Sequence, residues 1–159
     1  MFSPETNPII TALAPQAAST IADVADWVCL KNAKGCYIVV QYGGAGDTDP
    51  VFTVHEGATG TGTTAITTGA EFPIWKNEAC TTTDALTRAT DALTFTIDGN
   101  KSGGTIQLFV MYVPASILSA GYDWIQLGST AGNAASFVSA LYILDGERYQ
   151  QGTPPTAIA

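Results

Sequence analysis

The feature that most constrains this chain is a succession of short apolar runs separated by clusters of Gly, Asn, Asp and Thr. The runs are strand-length, whereas an amphipathic helix needs at least about ten residues repeating every three to four. Candidate strands are Trp27 to Lys31, Cys36 to Tyr42, Val51 to Glu56, Phe72 to Lys76, Leu93 to Asp98, Thr105 to Val113, Tyr122 to Leu127 and Phe137 to Leu144. About eight such strands with turn signals between them predict an all-β fold, an antiparallel β-sandwich. Pro114 to Gly121 reads as a turn or two of helix, and Gly57 to Gly69 as a loop or edge hairpin.

Side-chain alternation separates two kinds of strand. Leu93, Phe95 and Ile97 alternate with Thr94, Thr96 and Asp98, which predicts one face on the core and one in water. In Thr105 to Val113 both alternating sets are apolar: Ile106, Leu108, Val110 and Tyr112 on one side, Phe109, Met111 and Val113 on the other. Phe137, Leu141 and Ile143 against Val138, Tyr142 and Leu144 repeat that pattern, as do Tyr37 and Val39 against Ile38 and Val40. The second face of these strands needs a cover, either arms and loops of the same chain or a neighbouring subunit.

Both ends carry prolines, Pro4, Pro8 and Pro15 at one and Pro154 and Pro155 at the other, and read as extended arms. The expected organisation is an arm over residues 1–25, a sandwich domain over 26–149 and a tail over 150–159. Gln16 to Asp26 forms a short helix or continues the arm. Deleting residues 1 to 10 is therefore expected to leave the fold intact. No apolar run reaches the roughly 20 residues of a membrane-spanning helix, and no secretory leader is evident. A net charge of −8, with six scattered Lys and Arg, opposes binding to nucleic acid. Cys29, Cys36 and Cys80 are an odd set, expected as reduced thiols; the other reading is a Cys29 to Cys36 bridge across a turn at Asn32 to Gly35.

Chemistry-bearing motifs are sparse. A nucleophile system using histidine must use His55, the only one in the chain, and His55 sits mid-strand with no G-x-S-x-G elbow anywhere. No C-x-x-C or second histidine nominates a zinc site, and Asp47, Asp49 and Glu56 lack the rest of a calcium loop. The glycines of Gly43 to Gly46 and Gly57 to Gly62 lack the lysine and helix of a phosphate loop. The expectation is a protein that is not an enzyme, with no catalytic, metal or cofactor residues. The surface aromatics, Trp75 and Tyr149 foremost, remain as candidate interface anchors.

Five segments carry a resemblance: WVCLKNAKGCYIVVQYGGAG, VFTVHEGATGTGTTAI, LFVMYVPASIL, GYDWIQL and the closing SALYILDGERYQ with its Arg148-Tyr149 pair. Together, over roughly residues 26–149, they resemble the decoration or cement proteins of tailed-bacteriophage heads. The resemblance implies a jelly-roll-like sandwich on the capsid exterior of the virion, made in the host cytoplasm. It implies a homo-oligomer, dimer or trimer, that stabilises the shell by bridging major capsid protein subunits. With the arms and the surface aromatics, it nominates Phe2, Pro4, Pro8, Ile9, Trp75, Arg148 and Tyr149 as contacts to the capsid or to another copy. The alternative is a carbohydrate- or receptor-binding sandwich of a phage tail or fibre, because Gly/Thr-rich loops and exposed tryptophans suit sugars.

Overall fold

Alternation decides which side chains face inward, and pairing sorts the strands into two antiparallel sheets. A computed structural model describes residues 6–44, 46–62, 64–67, 71–99 and 106–147. Among them eleven strands form: β1 (Ile9–Ala17), β2 (Trp27–Cys29), β3 (Ala33–Gly43), β4 (Val51–Gly57), β5 (Thr64–Ala65), β6 (Ile74–Asn77), β7 (Thr87–Arg88), β8 (Thr94–Thr96), β9 (Gln107–Pro114), β10 (Trp124–Ser129) and β11 (Phe137–Glu147). One sheet runs β1-β11-β3-β9-β6-β7; the other runs β2-β10-β4-β5, with β8 also paired to β4.

Setting aside the short β5 and the β6–β7 hairpin, the orders are β1-β11-β3-β9 and β2-β10-β4-β8. Successive strands from β1 to β4, and from β8 to β11, thus bring first and last strands together in one sheet. This is the eight-stranded jelly roll, two Greek keys folded over a shared core.

The core lies between the sheets. Phe52 of β4 stacks on Phe95 of β8 with centroids 5.0 Å apart, and Phe95 stacks on Phe109 of β9 at 5.2 Å, so one aromatic column crosses the layers. Ile38, Val40, Met111, Val113, Ile125, Leu127 and Leu144 are buried around it. A polar pin joins the layers as well. The β2–β10 ladder ends at the Trp27 and Gln126 pair, and the Tyr142 hydroxyl of β11 takes over beyond it. That hydroxyl accepts from the Leu127 N–H at 2.7 Å and donates to the Asp26 carbonyl at 2.9 Å.

Ile9–Ala17, expected as part of an arm outside the domain, is the edge strand β1, paired with β11 from Ile9 opposite Ile143 to Ala17 opposite Phe137. Two register shifts interrupt the pairing, and Pro15 falls beyond the second gap's start, where an edge strand tolerates a missing N–H. The carbonyl of Ala12, at the first shift, instead accepts from Asp26 N–H at 2.8 Å and ties the two sheet edges together. Gln16 to Asp26 is neither a helix of several turns nor an arm. It holds one 3-10 turn, Ala18–Thr20, and then follows β10, fixed by Ser129 Oγ to the Ile21 carbonyl (2.6 Å) and Gln126 Nε2 to the Ala25 carbonyl (2.6 Å).

The turn at Asn32 to Gly35 does not close a hairpin, because β2 and β3 belong to different sheets. Cys29 is half-buried, Cys36 is fully buried in the core, and all three thiols are free. Burial pushes the Cys36 thiol pKa well above its ordinary value. The region Pro114 to Gly121 contains a single 3-10 turn, Ala115–Ile117, with Gly121 at φ +86° in the turn entering β10.

Candidate interaction face

The outer face of the larger sheet follows from strand register. Val138, Ala140, Tyr142 and Leu144 of β11 are buried inward, so Phe137, Ser139, Leu141, Ile143 and Asp145 point outward. Paired residues share a face, which extends each outward position into a row across the sheet. One row reads Ile9, Ile143, Tyr37, Tyr112. The next reads Thr11, Leu141, Val39, Val110, Trp75, Arg88. A third holds Ser139, Gln41 and Leu108, and a fourth Ala17, Phe137 and Gly43, with Ile106 just before β9.

These rows are apolar and open. Phe137 is 63% exposed, Ile9 48%, Ile106 40% and Leu141 39%. Opposite Phe137 the register places Gly43, which has no side chain, and a groove of about 270 Å³ opens there. Pro15, Gln41, Ile106, Phe137 and Ser139 line it.

Charge is confined to the margins. Across the four rows the only Asp, Glu, Lys or Arg is Arg88, on the two-residue edge strand β7. Its guanidinium lies 4.8 Å from the Trp75 ring centroid and pairs with Asp91 at 2.5 Å. At the opposite corner Asp145 accepts a 2.9 Å hydrogen bond from the Tyr112 hydroxyl. Tyr112 leans on Tyr37 (centroids 4.6 Å apart), and a Cβ at Gly35 would collide with its hydroxyl. Burial first, then the Asp145 hydrogen bond and charge, push the Tyr112 pKa above the ordinary tyrosine value.

The nominated contact residues divide accordingly. Ile9 and Trp75 both lie on this face, at opposite edges, although Trp75 is half-buried beneath Arg88. Pro8 is buried, its carbonyl accepting from Leu144 N–H at 3.0 Å, and it offers no contact surface. Phe2, Pro4, Arg148 and Tyr149 lie outside the described residues. Phe137, Leu141 and Ile106 were not nominated, although the two-sided apolarity of their strands is the signal that points to them.

His55 sits on the outer face of the other sheet and is itself buried. Its ring covers Gly128, where a Cβ would come within 2.4 Å of it. Its two nitrogens face Thr53 Oγ1 at 3.4 Å and Gln126 Oε1 at 3.3 Å, a hydroxyl and an amide. Glu56, also buried, accepts from the Ser119 N–H at 2.8 Å and from its hydroxyl at 2.5 Å, which fixes the loop entering β10. Among the described residues no three His, Cys, Asp or Glu side chains converge at metal-binding distance.

No protein-family model matches the sequence, and a search of the curated proteins finds no match.

Proposed function

We propose that this is a structural virion protein that attaches to the exterior of a tailed-phage capsid and stabilises it as a homo-oligomer bridging major capsid protein subunits. The observation that supports the reading most is the open outer face of the β1-β11-β3-β9-β6 sheet. A chain with 14 carboxylates and a net charge of −8 has a four-row face whose one ionised group is at its edge. Large apolar patches of this kind mark contact with another protein. The acidic remainder suits a position outside the shell, away from packaged DNA. The jelly roll is compatible with the role but does not by itself specify it.

Mixing the purified protein with empty phage heads tests the reading. Stoichiometric binding, with a higher temperature of head disruption, is the expected result. Binding to immobilised glycans without binding to heads would replace it with the carbohydrate-binding alternative. That alternative relied on exposed tryptophans, yet Trp27 is buried and Trp75 and Trp124 are half-buried.

A further inference from the structure

We infer that the outer face of the larger sheet is where a second copy of this chain docks, face to face, about a two-fold axis running along β3. The inference rests on the assembly role proposed above and names the partner of that surface.

Charge is the first support. Two copies each carrying −8 repel one another, and contact is favoured only through surface free of carboxylates. The four outward rows provide such a surface. A major-capsid partner need not match a neutral face, whereas a second copy must.

Extent is the second. The face spans five strands, β1 to β6 in sheet order. At about 4.8 Å between strands and about 3.4 Å per residue from Phe137 to Ile143, the four rows cover roughly 500 Å² in projection, and more in accessible area because side chains stand above the sheet. A standard stable interface buries about 800 Å² per partner.

Self-complementarity is the third. Rotation about an axis along β3 lays β11 of one copy over β9 of the other. Phe137 then meets Ile106 across the gap at Gly43, Leu141 meets Val110, and Asp145 meets Pro114 rather than its own equivalent. No like charges face each other, as an isologous contact requires. Docking through the β1 edge is disfavoured by contrast, because two register shifts and Pro15 spoil it as a template for a further strand.

Sedimentation and native mass spectrometry of the full chain test the inference. The expected species has twice the 16.5 kDa chain mass, and it persists when salt is raised, since screening weakens the repulsion between acidic copies. Leu141→Glu, which places a carboxylate at the centre of the face, should lower the association constant at least tenfold. Val24→Glu, at a more exposed position beside the other sheet, should leave the association unchanged. Unaltered circular dichroism and melting for both variants show that they are folded.

A monomeric wild-type chain at high concentration overturns the inference, as does an undiminished dimer in Leu141→Glu. If the wild type is monomeric and Leu141→Glu abolishes binding to heads, the face belongs to the capsid protein: the dimer is refuted and the assembly role survives. If the wild type is monomeric and removing residues 148–159 makes the face bind an apolar dye, the chain's own C-terminal segment is the occupant. A stable dimer that ignores heads leaves the interface standing and refutes the assembly role.

Discussion

Two buried tyrosines, on adjacent strands of the same sheet, show how differently one hydroxyl can act. Tyr142 bridges Leu127 and Asp26 where the β2–β10 ladder has opened, whereas the Tyr42 hydroxyl, fully buried, has no hydrogen-bond partner among the described residues. Tyr142→Phe takes away the partner of a buried N–H and of a half-buried carbonyl and should lower unfolding free energy by about 2–3 kcal/mol. Tyr42→Phe should stay within about 1 kcal/mol of wild type in the same denaturant titration. Equal losses would show that the inter-sheet pin is unimportant. Alkaline pH probes the same group. Burial raises the Tyr142 pKa far above the ordinary 10.0, with the Leu127 hydrogen bond opposing only in part. Below that ordinary value folded and unfolded chains both hold the proton. Above it the unfolded chain releases the proton and the folded chain keeps it, so stability falls as pH rises. Tyr142 should therefore develop tyrosinate absorbance only as the chain unfolds. At this scale the sequence was partly legible. The outward set Tyr37, Val39, Leu108, Val110 and Leu141 was visible in alternation, but Arg88 over Trp75 depends on a β6–β7 pairing that no local pattern announces.

Elements were legible in proportion to their length and burial. All eight expected strands form, with ends shifted by a few residues, because each carries a periodic apolar set that packs inward. Thr87–Arg88 was not foreseen as a strand, and Thr64–Ala65 only as part of the loop or edge hairpin expected over Gly57 to Gly69: two residues have no periodicity, and both become strands only by lying beside β6 and β4. β1 was misjudged for another reason. Prolines near Ile9–Ala17 indicate extended backbone, and extended backbone is common to a free arm and an edge strand. Ala12 and Leu13, both buried, identify β1 as sheet. Deleting residues 1 to 10, expected from the sequence alone to spare the fold, removes buried Pro8 and the pairing of Ile9 and Ile10 with Ile143 and Tyr142. The truncated chain should melt roughly 5 °C or more below the full chain, given that each kcal/mol shifts a domain of this size by about 2–4 °C. An unchanged melting temperature would mean that the first half of β1 contributes nothing to stability.

At the scale of the whole molecule, strand order is what the sequence withholds. Periodicity assigns faces but not neighbours, and almost every neighbour here is distant along the chain: β1 pairs with β11, β2 with β10, β3 with both β9 and β11. Cys29 and Cys36 show the consequence, being seven residues apart and yet in opposite layers. The same topology brings the two ends of the sandwich together. Asn7 Nδ2 donates to the Leu144 carbonyl at 3.1 Å, and Ile9 stands opposite Ile143. The described chain therefore enters and leaves the sandwich at one corner, like a thread passed through cloth and drawn back beside its own entry. A short linker there would join the ends, and a new break in a surface loop would yield a circular permutant with the same sheets. Two passengers grafted directly onto the chain beside Asn7 and Leu144 would hang side by side from that corner, as a matched pair.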